Sequence, residues 1–116
     1  MTDVKDDNET LSPAEQFNAI LRDDERREAL RKFLTRGFSE QHLAFWEAVQ
    51  QFRQLPNSEL KDRSQFIFNE YIRAGCKQQI NVTEQVRVRI ADALKAPSVE
   101  MFDEAEQTAL ELIKVI

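Results

Sequence analysis

Residues that stop a helix are scarce in this chain: two glycines and three prolines are spread through 116 residues. Between those breaks apolar residues recur at steps of three and four, the spacing that gathers side chains on one face of an α-helix. Period-two alternation, the mark of a half-buried strand, has little support. The expected fold class is all-α.

Met1 to Thr10 is acidic, polar and aperiodic, so residues 1–10 are expected to form a flexible acidic tail and residues 11–116 one helical domain. A chain of this length buries roughly two-thirds of its extended surface, enough for a core without staples. Ser12-Pro13-Ala14-Glu15 supplies an N-cap hydroxyl, a proline at the first helical position and an acceptor, ahead of Phe17, Ile20 and Leu21. That helix is expected to stop near Arg22 or Asp23. Leu30, Phe33 and Leu34 form the next apolar stripe, ending before Gly37. Ser39 can cap a helix running to Leu55, with His42, Phe45, Trp46, Val49 and Phe52 along one broad side. Trp46 is expected in the core with Phe45, Val49 and Phe52.

Past the break at Pro56-Asn57-Ser58, the residues Phe66, Ile67, Phe68, Tyr71 and Ile72 mark a helix from about Leu60 to Ala74, closed by Gly75. A polar connection, Cys76 to Asn81, carries one core candidate, Ile80. Val86, Ile90 and Leu94 mark the next helix, and Pro97-Ser98 separates it from a last one bearing Phe102, Ala105, Ala109, Leu112, Ile113 and Ile116. The acidic Asp103, Glu104 and Glu106 suit the positive end of that last helix. Its finish at Leu112-Ile113-Lys114-Val115-Ile116 has no C-cap glycine. Either the domain is shortened there and a further element covers it, or this is a plain terminal core helix.

Charge and cysteine usage narrow the function classes. A formal net charge of -5 opposes attraction to a phosphate backbone, and no basic recognition face stands out, so nucleic acid is not expected as a partner. The single cysteine, Cys76, makes no internal disulfide, and the first residues lack the apolar run of a secretion signal. A cytoplasmic protein is expected, reaching a membrane peripherally through a partner and not by direct insertion. One histidine and one cysteine are too few for a zinc set. The neighbouring carboxylates of Asp23-Asp24-Glu25 and Asp103-Glu104 suit solvated helix faces, and no glycine-rich phosphate loop occurs. No catalytic residue, metal or cofactor is expected, and the chain is not expected to be an enzyme in its own right.

Polar groups near the tryptophan helix and near Ile80 point instead to binding. His42 either makes a surface contact or packs locally. Asn81 either caps the following helix or turns its amide outward, where one group donates and accepts at once. Gln41, Gln78 and Gln79 bring neutral amides that contact a partner without the desolvation cost of a bare charge.

Five segments, in order, resemble the regulator of G-protein signalling domain: Leu30-Arg31-Lys32-Phe33-Leu34; Phe38-Ser39-Glu40-Gln41-His42-Leu43-Ala44-Phe45-Trp46-Glu47-Ala48; Phe66-Ile67-Phe68-Asn69-Glu70-Tyr71-Ile72; Ile80-Asn81-Val82; and Met101-Phe102-Asp103-Glu104-Ala105-Glu106. The resemblance covers nearly everything after the tail. It implies a nine-helix fold, with an antiparallel four-helix bundle and a second group formed by the terminal helices. It also implies a GTPase-activating module that binds the switch regions of a heterotrimeric G-protein alpha subunit. Such a domain holds the alpha subunit's own catalytic glutamine and arginine near their transition-state arrangement. By position, Asn81 resembles the family asparagine that contacts the switches, Ser39 a loop contact and Leu112 an apolar contact.

Two residues depart from the family pattern. Gln41 stands where an acidic residue is common, and His42 where a second contacting asparagine is usual. Family members also continue past the helix of Leu112 with an acidic residue, a tyrosine, an arginine and another helix. The alternative these departures leave open is a noncatalytic interaction module on the same fold. An exposed Leu112-Ile113-Ile116 patch is then expected to favour a homodimer or helix exchange.

Overall fold

The computed structural model describes residues 13–36 and 40–114. These form six α-helices and one π-helical turn: α1 (Pro13–Arg22), α2 (Asp24–Arg36), α3 (Glu40–Phe52), α4 (Asn57–Ile67), the π turn (Phe68–Ile72), α5 (Glu84–Ala93) and α6 (Asp103–Lys114). No strand occurs among the described residues, so their regular structure is all-α as expected. The acidic tail, the Ser12 cap, Gly37 and Ile116 lie outside them.

Local chemistry sets the breaks. Asp23 ends α1 and caps α2: its carboxylate accepts the Arg26 N–H at 3.0 Å and its carbonyl the Arg27 N–H at 2.8 Å. α3 stops short of the expected Leu55. Gln54 and Leu55 donate only to the carbonyls three residues back, and Pro56 disfavours helical dihedrals at the residue before it. α4 begins three residues earlier than Leu60, because Pro56 serves as its N-cap and its carbonyl accepts the Glu59 N–H at 2.9 Å. The helix expected to continue to Ala74 instead widens after Ile67, where the Arg73 N–H reaches back five residues to the Phe68 carbonyl at 2.8 Å. Gly75 then turns the chain with φ of 79°, a left-handed dihedral that costs glycine nothing.

Two apolar cores result, and α3 and α6 contribute to both. Phe45, Val49 and Phe52 of α3 join Leu60, Ile67, Tyr71, Ile72, Ile80, Val86, Ile90, Phe102, Ala105 and Ala109 in the larger one. The ring of Phe102 meets Phe52 edge-on at 5.2 Å and Phe45 at 6.1 Å. Leu43 joins Leu21, Leu34 and Ile113 in the smaller one, which gathers the terminal helices α1, α2 and the end of α6.

α3 and α6 run antiparallel in the most extensive helix contact of the fold. Ala105 and Ala109 let the backbones approach, while Arg53 at the end of α3 binds Asp103 and Glu106 in the first turn of α6. The hydrogen bond to Glu106 raises the Arg53 guanidinium further above its ordinary range, and the two carboxylates also meet the positive helix end. Across the other side of α3, Glu47 accepts from Arg27 at 2.9 Å and from Arg31, tying it to α2.

One aromatic expectation changes. Trp46 is only partly buried and packs on the smaller core, not with Phe45, Val49 and Phe52. Its step from Phe45 rotates it around α3 toward α1, where it lines a wide cleft with Leu21, Arg22 and Gln50. Phe33 and Phe66 are each about half exposed, at 50% and 51%, since Leu34 and Ile67, their next neighbours, take the buried positions. The Arg63 guanidinium lies 5.5 Å from the centre of the Phe66 ring, partly covering it.

Candidate partner-binding surface

The start of α3 meets the connection between the π turn and α5 in a shallow depression lined by Glu40, Gln41, Lys77, Gln78 and Gln79. On the α3 side, the Glu40 carboxylate lies 3.2 Å from the Thr35 hydroxyl near the end of α2, sharing its one proton with the nearer Arg31 carbonyl at 2.9 Å. Gln41 follows it, half-buried.

The other wall is held from beneath. Ile80 is fully buried in the larger core, and its N–H donates to the Tyr71 carbonyl at 2.9 Å. Gln78 donates through its backbone to the Glu70 carbonyl at 3.1 Å and through its side-chain amide to the Glu70 carboxylate at 2.8 Å. The Gly75 N–H donates to Gln79 Oε1 at 2.9 Å, so that the acceptor end of this amide is engaged while its donor end has no partner among the described residues. Asn81 follows the buried Ile80 and is exposed.

Asn81 does not cap α5. Thr83 does: its hydroxyl accepts the Val86 N–H at 3.2 Å, with the backbone of Thr83 extended as an N-cap requires. Of the two roles open to Asn81, the structure removes the local one and leaves the side chain facing solvent.

His42 is a correction. It is 4% exposed, which takes it off the contact surface and into packing. The cause is its register: His42, Phe45, Val49 and Phe52 fall at steps of three and four on the inward side of α3. Leu112 is half-buried on α6. The next residue, Ile113, packs with Leu43, so the end of α6 reaches the same half of α3 that carries Gln41. Ile113 is itself 4% exposed, which removes it from the expected exposed patch, because the smaller core takes its side chain in; Ile116 of that patch lies outside the described residues.

Gln41 and Gln79 are thus brought into one depression, with Asn81 two residues along the same chain and Leu112 on the neighbouring helix end. Ser39 lies outside the described residues, directly before Glu40. Two lining residues, Glu40 and Lys77, and the supporting Glu70 were not singled out by sequence. Lys77 carries no helical periodicity to mark it, and Glu70 meets Gln78 only because the chain reverses at Gly75. The surface offers amides, one carboxylate and one ammonium group, which suit a partner's polar side chains and backbone.

Cys76 beside it is buried, and burial pushes its thiol above the ordinary value. Among the described residues no group of three or more His, Cys, Asp or Glu is placed to hold a metal ion, and no helix is long and apolar enough to cross a membrane.

Comparison with known proteins bears on this surface. The human protein called Regulator of G-protein signaling 21 is 29% identical over 85% of this chain and 66% of its own length. Regulator of G-protein signaling 16 from Rattus norvegicus is 30% identical over 84% of this chain and 50% of its own length. Regulator of G-protein signaling 1 from Equus caballus is 23% identical over 97% of this chain and 57% of its own length. The chain therefore spans between about half and two-thirds of these relatives. The family model described as the regulator of G protein signaling domain matches residues 16–115, nearly the whole described fold, and the chain belongs to that family.

Proposed function

We infer that this chain binds the switch regions of a heterotrimeric G-protein alpha subunit and stabilises the transition state for hydrolysis of the GTP held there. The observation that carries this is the juxtaposition of the α3 start with the 77–81 connection, together with an exposed Asn81 that local capping does not use. Family membership supports it, as do relatives named for regulating G-protein signalling.

The chemistry asked of the chain is positional. Asn81 contacts the switch that carries the alpha subunit's glutamine, Gln41 and Gln79 hold adjoining polar groups, and Ser39 and Leu112 extend the contact on either side. The domain supplies no nucleophile or base and is a regulator of a partner GTPase. Rate acceleration comes from binding the transition-state arrangement more tightly than the ground state, each tenfold corresponding to about 1.4 kcal/mol.

Single-turnover GTP hydrolysis by a panel of alpha subunits, with and without the chain, tests this. Acceleration by at least one subunit is expected, along with tighter binding to the transition-state mimic than to the GTP or GDP form. No acceleration at saturating chain would sink it. Burial of His42 and the neutral Gln41 favour a second possibility, a noncatalytic interaction module. That module binds a signalling protein with no preference among nucleotide states.

A further inference from the structure

We propose that Glu70 is a positioning residue that presets the 77–81 connection for docking. This rests on the proposed alpha-subunit function, although Glu70 is not among the residues lining the depression.

The basis is the hydrogen bonding at the end of the π turn. An ordinary helix leaves its last four carbonyls without intrahelical donors. Here three of them in a row are taken by the structure that follows. The Glu70 carbonyl accepts the Gln78 N–H at 3.1 Å, the Tyr71 carbonyl accepts the Ile80 N–H at 2.9 Å, and the Ile72 carbonyl accepts Arg87 Nε at 2.8 Å. The π geometry, with its reach of five residues from Arg73 to Phe68, sets the orientation of this end.

Any residue at position 70 supplies the carbonyl. Only an acceptor side chain supplies the second bond, from Gln78 Nε2 to Glu70 Oε2 at 2.8 Å, and the negative charge strengthens it. Gln78 is consequently held by its backbone and its side chain from a single residue, while Ile80 is anchored in the core two positions on. Gln79 lies between these fixed points, and Asn81 follows the second. Their presentation is then set before any partner arrives, which lowers the ordering cost of binding.

Four variants of the chain test this: E70A, E70Q, Q78A and the double variant E70A/Q78A. Two readouts are taken, amide hydrogen exchange of the free chain at Gln78 and Ile80, and affinity for an alpha subunit carrying GDP and aluminium fluoride. E70A is expected to speed exchange at these two amides and to weaken affinity, each by about tenfold. Q78A does the same, and the double variant is no worse than either single one, because both remove one shared bond. E70Q keeps an acceptor oxygen and stays within about threefold of the unaltered chain.

Equal losses in E70Q and E70A would assign the effect to charge and overturn the inference. So would additive losses in the double variant, or weakened affinity with unchanged exchange, which indicates direct contact. Faster exchange throughout α3 in E70A signals general destabilisation, and Q78A, which removes no core group, then decides. If the unaltered chain binds no alpha subunit, the proposed function fails, and the exchange readout alone upholds or overturns the holding role of Glu70.

Discussion

Replacing Thr83 and Asn81 in turn separates a helix cap from a binding residue two positions away. Thr83 is exposed, so Thr83→Ala loses little packing, and its cost is that of one cap: the hydroxyl no longer accepts the Val86 N–H now held at 3.2 Å. A lost threonine cap costs about 1 kcal/mol. Because Val86 and Ile90 lock α5 into the larger core, the loss is expected in global unfolding, as a fall of about 4 °C in Tm or about 0.5 M in the urea midpoint. Asn81→Ala removes an exposed side chain with no capping bond and is expected to shift stability by less than about 0.5 kcal/mol. Affinity for the alpha-subunit mimic reverses the order. Asn81→Ala is expected to weaken it at least about tenfold, by leaving partner groups unpaired, and Thr83→Ala to leave it nearly unchanged. Equal destabilisation by the two variants, or a neutral Thr83→Ala, would refute the assignment of the cap; a neutral Asn81→Ala in binding would refute the contact.

Phe102→Ala empties the centre of the larger core beneath Phe45 and Phe52 and is expected to cost about 3–5 kcal/mol in urea unfolding; a loss under about 1.5 kcal/mol would show that these rings do not pack as described. Gly75→Ala meets no atom within 4 Å, so its cost, about 1–2 kcal/mol, is purely that of a left-handed dihedral, and Gly75→Asn is expected to cost less. Burial raises the Cys76 thiol, so stability from the neutral form is full below the unfolded value and is lost as pH climbs through the higher folded one. Urea midpoints are therefore expected to hold up to about pH 8.5 and then decline, with alkylation of Cys76 slower in the folded than in the unfolded chain; equal alkylation rates would contradict its burial.

The helices were legible because their causes are local. Asp23, Pro56 and Gly75 break the chain for reasons carried by one residue each, and the stripe Phe45, Val49, Phe52 identified the buried side of α3. What periodicity cannot show is which core a face serves. α3 lies between two, so the residue after Phe45 turned out to belong to the terminal helices, and an apolar stripe assigned to one side was in fact divided. The π turn was hidden for a related reason. Tyr71 and Ile72 lie on an apolar face under either helix geometry, and it is the Arg73 N–H, reaching five residues back to the Phe68 carbonyl, that distinguishes them.

At the candidate surface, residue type was informative and neighbourhood was not. Gln41 and Gln79 are far apart in sequence and meet because Ile80 anchors one segment in the core while α3 places the other. His42 shows the reverse: residue type left surface contact and local packing both open to it, and the register of α3 takes it in. That burial redistributes the proposed recognition. With His42 withdrawn, the first turn of α3 presents only Glu40 and Gln41 among the described residues. Gln79 and Asn81 must then carry a larger share of the contact, and their precision depends on bonds made behind them by Glu70 and Tyr71. A partner that docks here is consequently discriminated less by the tryptophan helix than by how rigidly the 77–81 connection is held.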